Sequence, residues 1–493
     1  MPLESLGTSV GGPSSGVDID RHFRRAVWIA ALCTAVGASI VYAAKAADDR
    51  SAFIRWRHQV LEFMDGSNIF DKYYYPNPPI MPLSLYPFML LPAVAGATAW
   101  FWLKVILTGL SFWLLMRMVY PPGISPGEQA RSWGGNFVHL VRNFGRDPVP
   151  PAIPGRQIPS WVQFTIVLAS LRPIMSDLHH GNNNLVILFL VVASLAAWRS
   201  GRDVLAGLVL ALAITYKVTP GLFLAYYLYK GSWRTVMATG AGLAMFLFVV
   251  PSLFIGFEFN WICLSSWFQR ILSPYVSGDV VGVQEINQSM VGTITRLLTE
   301  DNETGRYTTM FKDLNIASWD RGFVVYLVKG LSVGFVAVLA WLCRTKTERR
   351  DDPRLLGEFA LVVLTMLFVS ERSWKHHYVT LMIPFVYLGF RAFSFEIERW
   401  ERAVLWSALL GSLALIGSTS SEIGGLFAEG TGHKVAQFYG MFFWAGLVLF
   451  IATAWRVRRE RFGSPFTFSA EPREVRFIPA PHALRRDASV VSS

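Results

Sequence analysis

AADDRSAFIRWRHQVLEFMDGSNIFDKYYYPNPPIMPLSLY, residues Ala46–Tyr86, separates the first long apolar run of the chain from the second. It gathers paired aspartates, arginines, a histidine, three consecutive tyrosines and a Pro-Asn-Pro-Pro turn into one polar segment. Such chemistry beside a first apolar span gains little unless something binds there. The expectation is a helical frame that presents this loop to a cavity at one membrane face. Within the loop, Phe53, Trp56, Val60, Leu61 and Phe63 or Met64 recur near helical spacing, with Arg55, Arg57 and Glu62 between them. That pattern predicts a short helix lying on the membrane surface. Asp65-Gly66-Ser67-Asn68 ends it.

The composition agrees with a membrane frame. Of 493 residues, 53% are hydrophobic, 14% aromatic and only 16% charged, and mean hydropathy is +0.38. A soluble domain carries roughly 25% charge. The 18 Trp and 36 Phe suit lipid contact and interfacial belts. The net charge of +11 sits at the ends of apolar runs. That distribution marks cytoplasmic anchoring and contact with anionic membrane lipids rather than nucleic acid. Cys33, Cys263 and Cys343 lie in or beside apolar runs and suggest neither a disulfide framework nor a metal cluster.

Working outward, residues 1–20 read as a disordered cytoplasmic leader, and Arg21, Arg24 and Arg25 precede a span over Ala26–Ala44. This is a signal anchor with its N-terminus inside. Beyond the loop, residues 80–119 read as one interfacial helix plus one span, because Arg131, Arg142, Arg146 and Arg156 then fall inside. Leu205–Tyr229 holds Lys217 at its middle and Pro220 just after. It reads as two short helices meeting near the outer face, since irregular backbone at depth needs a cavity. Residues 258–321 carry eight acids against five bases and are placed outside. Basic clusters at 344–350 and 456–461 return inside, and 463–493 reads as a disordered cytoplasmic tail. The count is about twelve spans in one all-α catalytic domain over 21–462. Its outward loops are 45–79, 177–184, 258–321 and 371–377. The setting is a bacterial-type plasma membrane crossed many times, with both termini cytoplasmic. No internal repeat of the inverted-transporter kind is visible.

The polar clusters collect at the outer face. Asp48 and Asp49 either end a helix in solvent or supply a general base for a sugar hydroxyl. Asp49 is preferred, at a capping position before a helix that starts around Arg50. Lys217 either snorkels or pairs with a phosphate. His376 and His377, with Arg372 and Lys375, suit a phosphate better than a metal, because only Glu371 is near in sequence. His179 and His180 form a second pair that an interface would also accommodate. Asn182, Asn183 and Asn184 cap a helix or bind sugar hydroxyls, and Asn287 and Gln288 have the same choice. Tyr73, Tyr74 and Tyr75 stack on sugar faces or serve as belt residues, and Asn77 and His180 complete the sugar or acceptor set. The chain has neither a Walker loop nor a Rossmann glycine pattern, which argues against a nucleotide-sugar donor. Asn302-Glu303-Thr304 matches a glycosylation sequon.

Four stretches together resemble glycosyltransferase family 87, the polyprenol-phosphate-dependent mannosyltransferases within the GT-C superfamily. They are Asp49–Pro87, with its acid, Gly66 and Tyr/Pro-Pro; Gly181-Asn182-Asn183-Asn184; LAGLVLALAITYKVTPGLFLAYYLYKGSWR with Lys217 and Pro220; and Ser373-Trp374-Lys375-His376-His377-Tyr378 with Pro384 after it. Asn287-Gln288-Ser289 adds to the likeness, which covers roughly residues 25–455 in order. The resemblance implies a GT-C fold, a polyprenyl-phosphate mannose donor, an outward active site, inversion at the sugar carbon and Asp49 as the essential aspartate. Asn182 departs from the glutamine usual after that glycine. Arabinofuranose or another pentose also fits the family. The acceptor is then a glycolipid or glycan. No cofactor is expected, and a divalent ion at Asp48 and Asp49 stays open. The rival reading is a transporter or flippase of a lipid-linked sugar.

Overall fold

The computed structural model describes residues 15–119, 160–274, 282–300, 311, 314–393, 397–426 and 431–462. The four arginines of 131–156, the sequon at Asn302 and the C-terminal segment 463–493 lie outside the described residues. Those described are helical, with no strand among them. In order they form α1 (Ser15–Ala47), α2 (Ala52–Met64), α3 (Ile69–Tyr73), α4 (Ile80–Met89), α5 (Ala93–Val119), α6 (Ser160–His180), α7 (Asn184–Arg199), α8 (Asp203–Tyr216) and α9 (Gly221–Tyr229). There follow α10 (Trp233–Ile255), α11 (Phe257–Trp267), α12 (Met290–Leu298), α13 (Arg321–Leu342), α14 (Arg354–Val369), α15 (Met382–Phe393), α16 (Arg399–Gly417), α17 (Gly432–Phe438) and α18 (Met441–Phe462).

Among the described residues, five stretches are long and apolar enough to cross a membrane: Arg25–Ala47, Ala93–Val119, Trp233–Ile255, Arg321–Leu342 and Met441–Glu460. The other helices of the bundle are shorter or more polar, so length and composition alone do not carry the expected count of about twelve. The chain is a multi-pass membrane protein of all-α architecture.

Several expectations meet the structure directly. Residues 80–119 divide at Pro92 into the ten-residue α4 and the 27-residue α5. Leu205–Tyr229 breaks at Lys217, whose backbone is extended (φ −162°, ψ 129°), between α8 and α9. Two expectations change. Helix α1 begins at Ser15, inside the stretch read as a disordered leader. No proline or glycine interrupts it from Val17 to Val36. Helix α2 forms where its spacing predicts, but its apolar stripe does not lie on lipid. Phe53, Val60 and Phe63 are fully enclosed by protein and Trp56 nearly so, at about 1.5–3 kcal/mol for each large apolar side chain. The stripe packs on α3, α4 and α5, and so fixes the loop on the frame.

The bundle has two ends. At one, Lys230 pairs with Glu358 (2.7 Å) and Arg391 with Glu460 (2.8 Å), all four side chains buried. Arg199 donates to the carbonyls of Met118, Arg350 and Asp351 there. The opposite end holds the α1–α2 turn, the α6–α7 turn, Lys217 and the 370–377 segment. Helices α8 and α10 cross closely at Gly207, where a Cβ would lie 2.5 Å from the Thr235 carbonyl oxygen.

Candidate functional site

Helix α1 ends in a Schellman pattern: Arg50 N donates to Lys45 O (3.0 Å) and Asp49 N to Ala46 O (3.2 Å). Asp49 holds the left-handed position of that motif, at φ 53°, where glycine is usual. The cap of α2 is instead Ser51, whose backbone is extended and whose Oγ accepts from Ile54 N at 3.2 Å. The expected capping role of Asp49 is therefore corrected, because a cap must directly precede the first helical residue. Asp49 is exposed. Asp48 is exposed as well and pairs with Arg50 at 2.6 Å.

This turn rests on the α6–α7 turn. Gly181 lies at φ 77°, and a Cβ there would stand 2.3 Å from the Tyr42 hydroxyl and 3.4 Å from Phe53 N. Trp100 Nε1 donates to Gly181 O (3.0 Å), and Lys45 Nζ to His179 O (3.0 Å). Glycine is needed here for both its φ and its space.

Beneath the turn lies a buried polar chain. Lys104 of α5 pairs with Asp177 at 3.1 Å, both side chains fully enclosed. Asp177 Oδ2 accepts from Asn184 N and Asn184 Nδ2, each at 3.0 Å. Asn184 Oδ1 accepts from Lys217 Nζ at 3.0 Å. Asp177 thus caps α7, which Asn183, in the cap position, does not. Asn183 Nδ2 is buried without a partner. Lys104 was not among the residues singled out from sequence, although a lone cation at the middle of the apolar run 93–119 was a legible signal.

Lys217 also faces a narrow cleft whose wall joins Asn184, Thr219, Ser370, Ser373 and His377 to the apolar Ile187, Met366, Leu367 and Val379. Next to it, His376, His377 and Trp374 stack edge to face or in parallel with centroids 4.8–6.4 Å apart. His180 stands 5.7 Å from His376, and Asn182 Nδ2 lies 3.1 Å from His376 Nε2. Burial first, and then the charge of Lys217, holds both imidazoles of the 376–377 pair well below the usual histidine value. They are neutral hydrogen-bonding groups at pH 7. Burial, with Arg172, Lys434 and Lys45 behind it, pulls the Lys375 ammonium down to about 8. Arg372 is half-buried beside Gly282. Among the described residues no group of three or more His, Cys, Asp or Glu side chains is arranged to hold a metal ion.

Other residues singled out from sequence turn out to be braces. Asn287 donates to Gly282 O (2.7 Å) and Glu371 O (2.8 Å) and accepts from Ser289 N and Ser373 N (both 3.1 Å). Gln288 donates to Glu285 O and Gln437 O (both 2.6 Å). Both are almost wholly buried; the Asn287 amide staples 282–289 to the 371–373 segment, and the Gln288 amide ties the same loop to Gln437. Arg296, enclosed completely, donates to carbonyls of Val283, Gln284, Asn287 and Phe438 and secures the same loop. Tyr75 is buried and donates to Met81 Sδ (2.9 Å). Asn77 donates to Tyr216 O, one residue before Lys217. His180 Nδ1 lies 2.7 Å from Ser176 O. Tyr75, Asn287 and Gln288 thus each bond within the protein.

Comparison with known proteins adds relatives. The chain is 28% identical over 241 residues, 48% of each chain, to a polyprenol-phosphate-mannose-dependent alpha-(1-2)-phosphatidylinositol mannoside mannosyltransferase of Mycobacterium tuberculosis. The protein of that name from Mycolicibacterium smegmatis is 27% identical over 43% of this chain and 42% of its own. A polyprenol-phosphate-mannose-dependent alpha-(1-2)-phosphatidylinositol pentamannoside mannosyltransferase of M. smegmatis is 27% identical over 57% of this chain and 59% of its own. The match thus spans about half the length of these relatives. No solved structure matches. The model of glycosyltransferase family 87 matches residues 75–371, which hold the 177–184 turn, Lys217 and the 282–289 loop, and the chain belongs to that family.

Proposed function

We propose that this chain transfers a sugar, mannose before others, from a polyprenyl phosphate to a glycolipid or polysaccharide acceptor at the outer membrane face, with inversion at the anomeric carbon. One observation carries the reading: an exposed aspartate turn packs on the same helix junction whose buried side leads to Lys217 and the cleft. The names of the relatives supply the donor and the kind of acceptor. The donor's lipid tail lies in the bilayer and its phosphate enters the cleft against Lys217, His377, His376, Lys375 and Arg372. Asp49 takes the proton of an acceptor hydroxyl as that oxygen bonds to the anomeric carbon. The bond from that carbon to the phosphate oxygen breaks, and its electron pair leaves with the phosphate. Cations and imidazole N–H groups offset the growing charge. Phosphate needs little help from an acid to leave, so one base suffices. Asn182 and Asn183 offer amides to sugar hydroxyls.

The test is transfer from radiolabelled polyprenyl-phosphate mannose into host lipid extract by purified wild type and Asp49→Asn. A general base contributes about 10²–10⁴-fold, so the variant is expected to lose that much rate while still binding donor. Transfer by Asp49→Asn at the wild-type rate overturns the role of Asp49. Failure of wild type with a whole panel of lipid-phosphate sugars, donor binding being retained, moves a lipid-linked-sugar carrier ahead of the transferase.

A further inference from the structure

Lys104 and Asp177 touch neither the cleft nor solvent, yet they form a fully enclosed ion pair directly under it. Burying two charges is costly, and a well-packed apolar pair of similar volume often serves stability as well or better. A carboxylate only accepts hydrogen bonds, so Asp177 forces the Asn184 amide to turn its NH₂ inward. The carbonyl Oδ1 must then face the other way, where it meets Lys217 Nζ at 3.0 Å. Without that carboxylate the amide is free to flip and would present N–H to an ammonium, which repels it. Lys104 in turn fixes Asp177 in place, through both its carboxylate and its backbone carbonyl, each at 3.1 Å.

We propose that the Lys104–Asp177 pair is a positioning device: through the fixed orientation of Asn184 it aims the ammonium of Lys217 into the cleft, with two N–H groups left for the donor's phosphate. The device spans three elements, α5, the end of α6 and the start of α7, and acts on the break between α8 and α9. It rests on the reading of Lys217 as a phosphate ligand. Asp177 and Lys104 themselves meet no substrate.

The experiment measures binding of polyprenyl monophosphate to the purified full chain. Two perturbations are compared, Lys104→Met/Asp177→Leu and Asn184→Leu, each in the wild-type and the Lys217→Ala background, with thermal unfolding alongside. A hydrogen bond that orients a charged group is worth about a tenfold change in affinity. Each perturbation is expected to weaken binding about tenfold in wild type and to cause no further loss once Lys217 is alanine, because coupled residues are not additive. A merely structural role gives equal losses in both backgrounds and overturns the proposal. So does unchanged binding in wild type, or failure of both variants to fold, which would make the pair a folding element. If Lys217→Ala alone leaves binding intact, the phosphate reading of Lys217 fails and takes this proposal with it, a result read separately from the others.

Discussion

Asp49 shows how one backbone angle separates a structural from a chemical explanation. A left-handed conformation costs an ordinary residue about 1–2 kcal/mol, and aspartate tolerates it better than most. Glycine would suit this Schellman position at φ 53° better than the residue present. Asp49→Gly is therefore expected to stabilise the protein by about 1 kcal/mol while abolishing transfer, whereas Asp49→Asn keeps both fold and stability. Thermal unfolding of the two variants beside the transfer assay checks this. A Gly variant that is both active and more stable would leave the aspartate with no chemical role.

The segment from Ser370 to Leu381 is the element that collects cations at the cleft, and its geometry depends on bonds from elsewhere. Ser373 N and Glu371 O are held by Asn287, and Gln288 N donates to Ser373 O at 2.7 Å. That rigidity brings Lys375 among Arg172, Lys434 and Lys45, and with burial it lowers the ammonium to about 8. The sign follows from linkage. The folded state releases this proton near pH 8 and the unfolded chain only near the usual lysine value, so this group's penalty is full below pH 8 and is relieved as pH rises above it. Its charge is present at pH 7 and is lost through pH 8. Affinity for polyprenyl phosphate is expected to fall between pH 7 and 9, and Lys375→Met should shrink that step, the remainder coming from the other cations of the cleft. A titration of binding in both proteins measures it, and an identical fall in the variant would exclude Lys375 as its source.

Across the whole molecule the two ends divide the work. The end carrying Lys230, Glu358, Arg391 and Glu460 is bound by buried ion pairs, while the other keeps Lys217, His377 and Asp49 open to a cleft or to solvent. Removing one partner of a buried pair leaves a charge uncompensated and costs about 3–5 kcal/mol. Glu358→Gln should thus lower the unfolding midpoint by that equivalent yet leave affinity for polyprenyl phosphate unchanged, because helix α14 separates Glu358 from the Ser370 wall by three turns. Thermal unfolding and ligand binding on one preparation check both halves. A joint loss would show that the ends are coupled.

Much of this was legible in residue order, because membrane helices are written in local composition. Apolar runs, the breaks at Pro92 and Lys217, and the α2 spacing follow from what hydrocarbon and backbone geometry permit over a dozen neighbours. The same holds for the polar clusters at one end, which alternating basic flanks already threaded together. What stayed hidden depends on partners distant in sequence. The apolar stripe of α2 has the same periodicity whether lipid or protein covers it, and only packing against α4 and α5 decides for protein. Asn287 and Gln288 look like free amides until the carbonyls of Gly282, Glu371 and Gln437 occupy them. Asp177 is one acid in a polar turn until Lys104, 73 positions earlier, comes to 3.1 Å and turns it into the buried hub beneath Lys217. A side chain's type sets which bonds it can make, but the fold chooses the partner, because that choice needs two segments to meet in a space from which water is excluded.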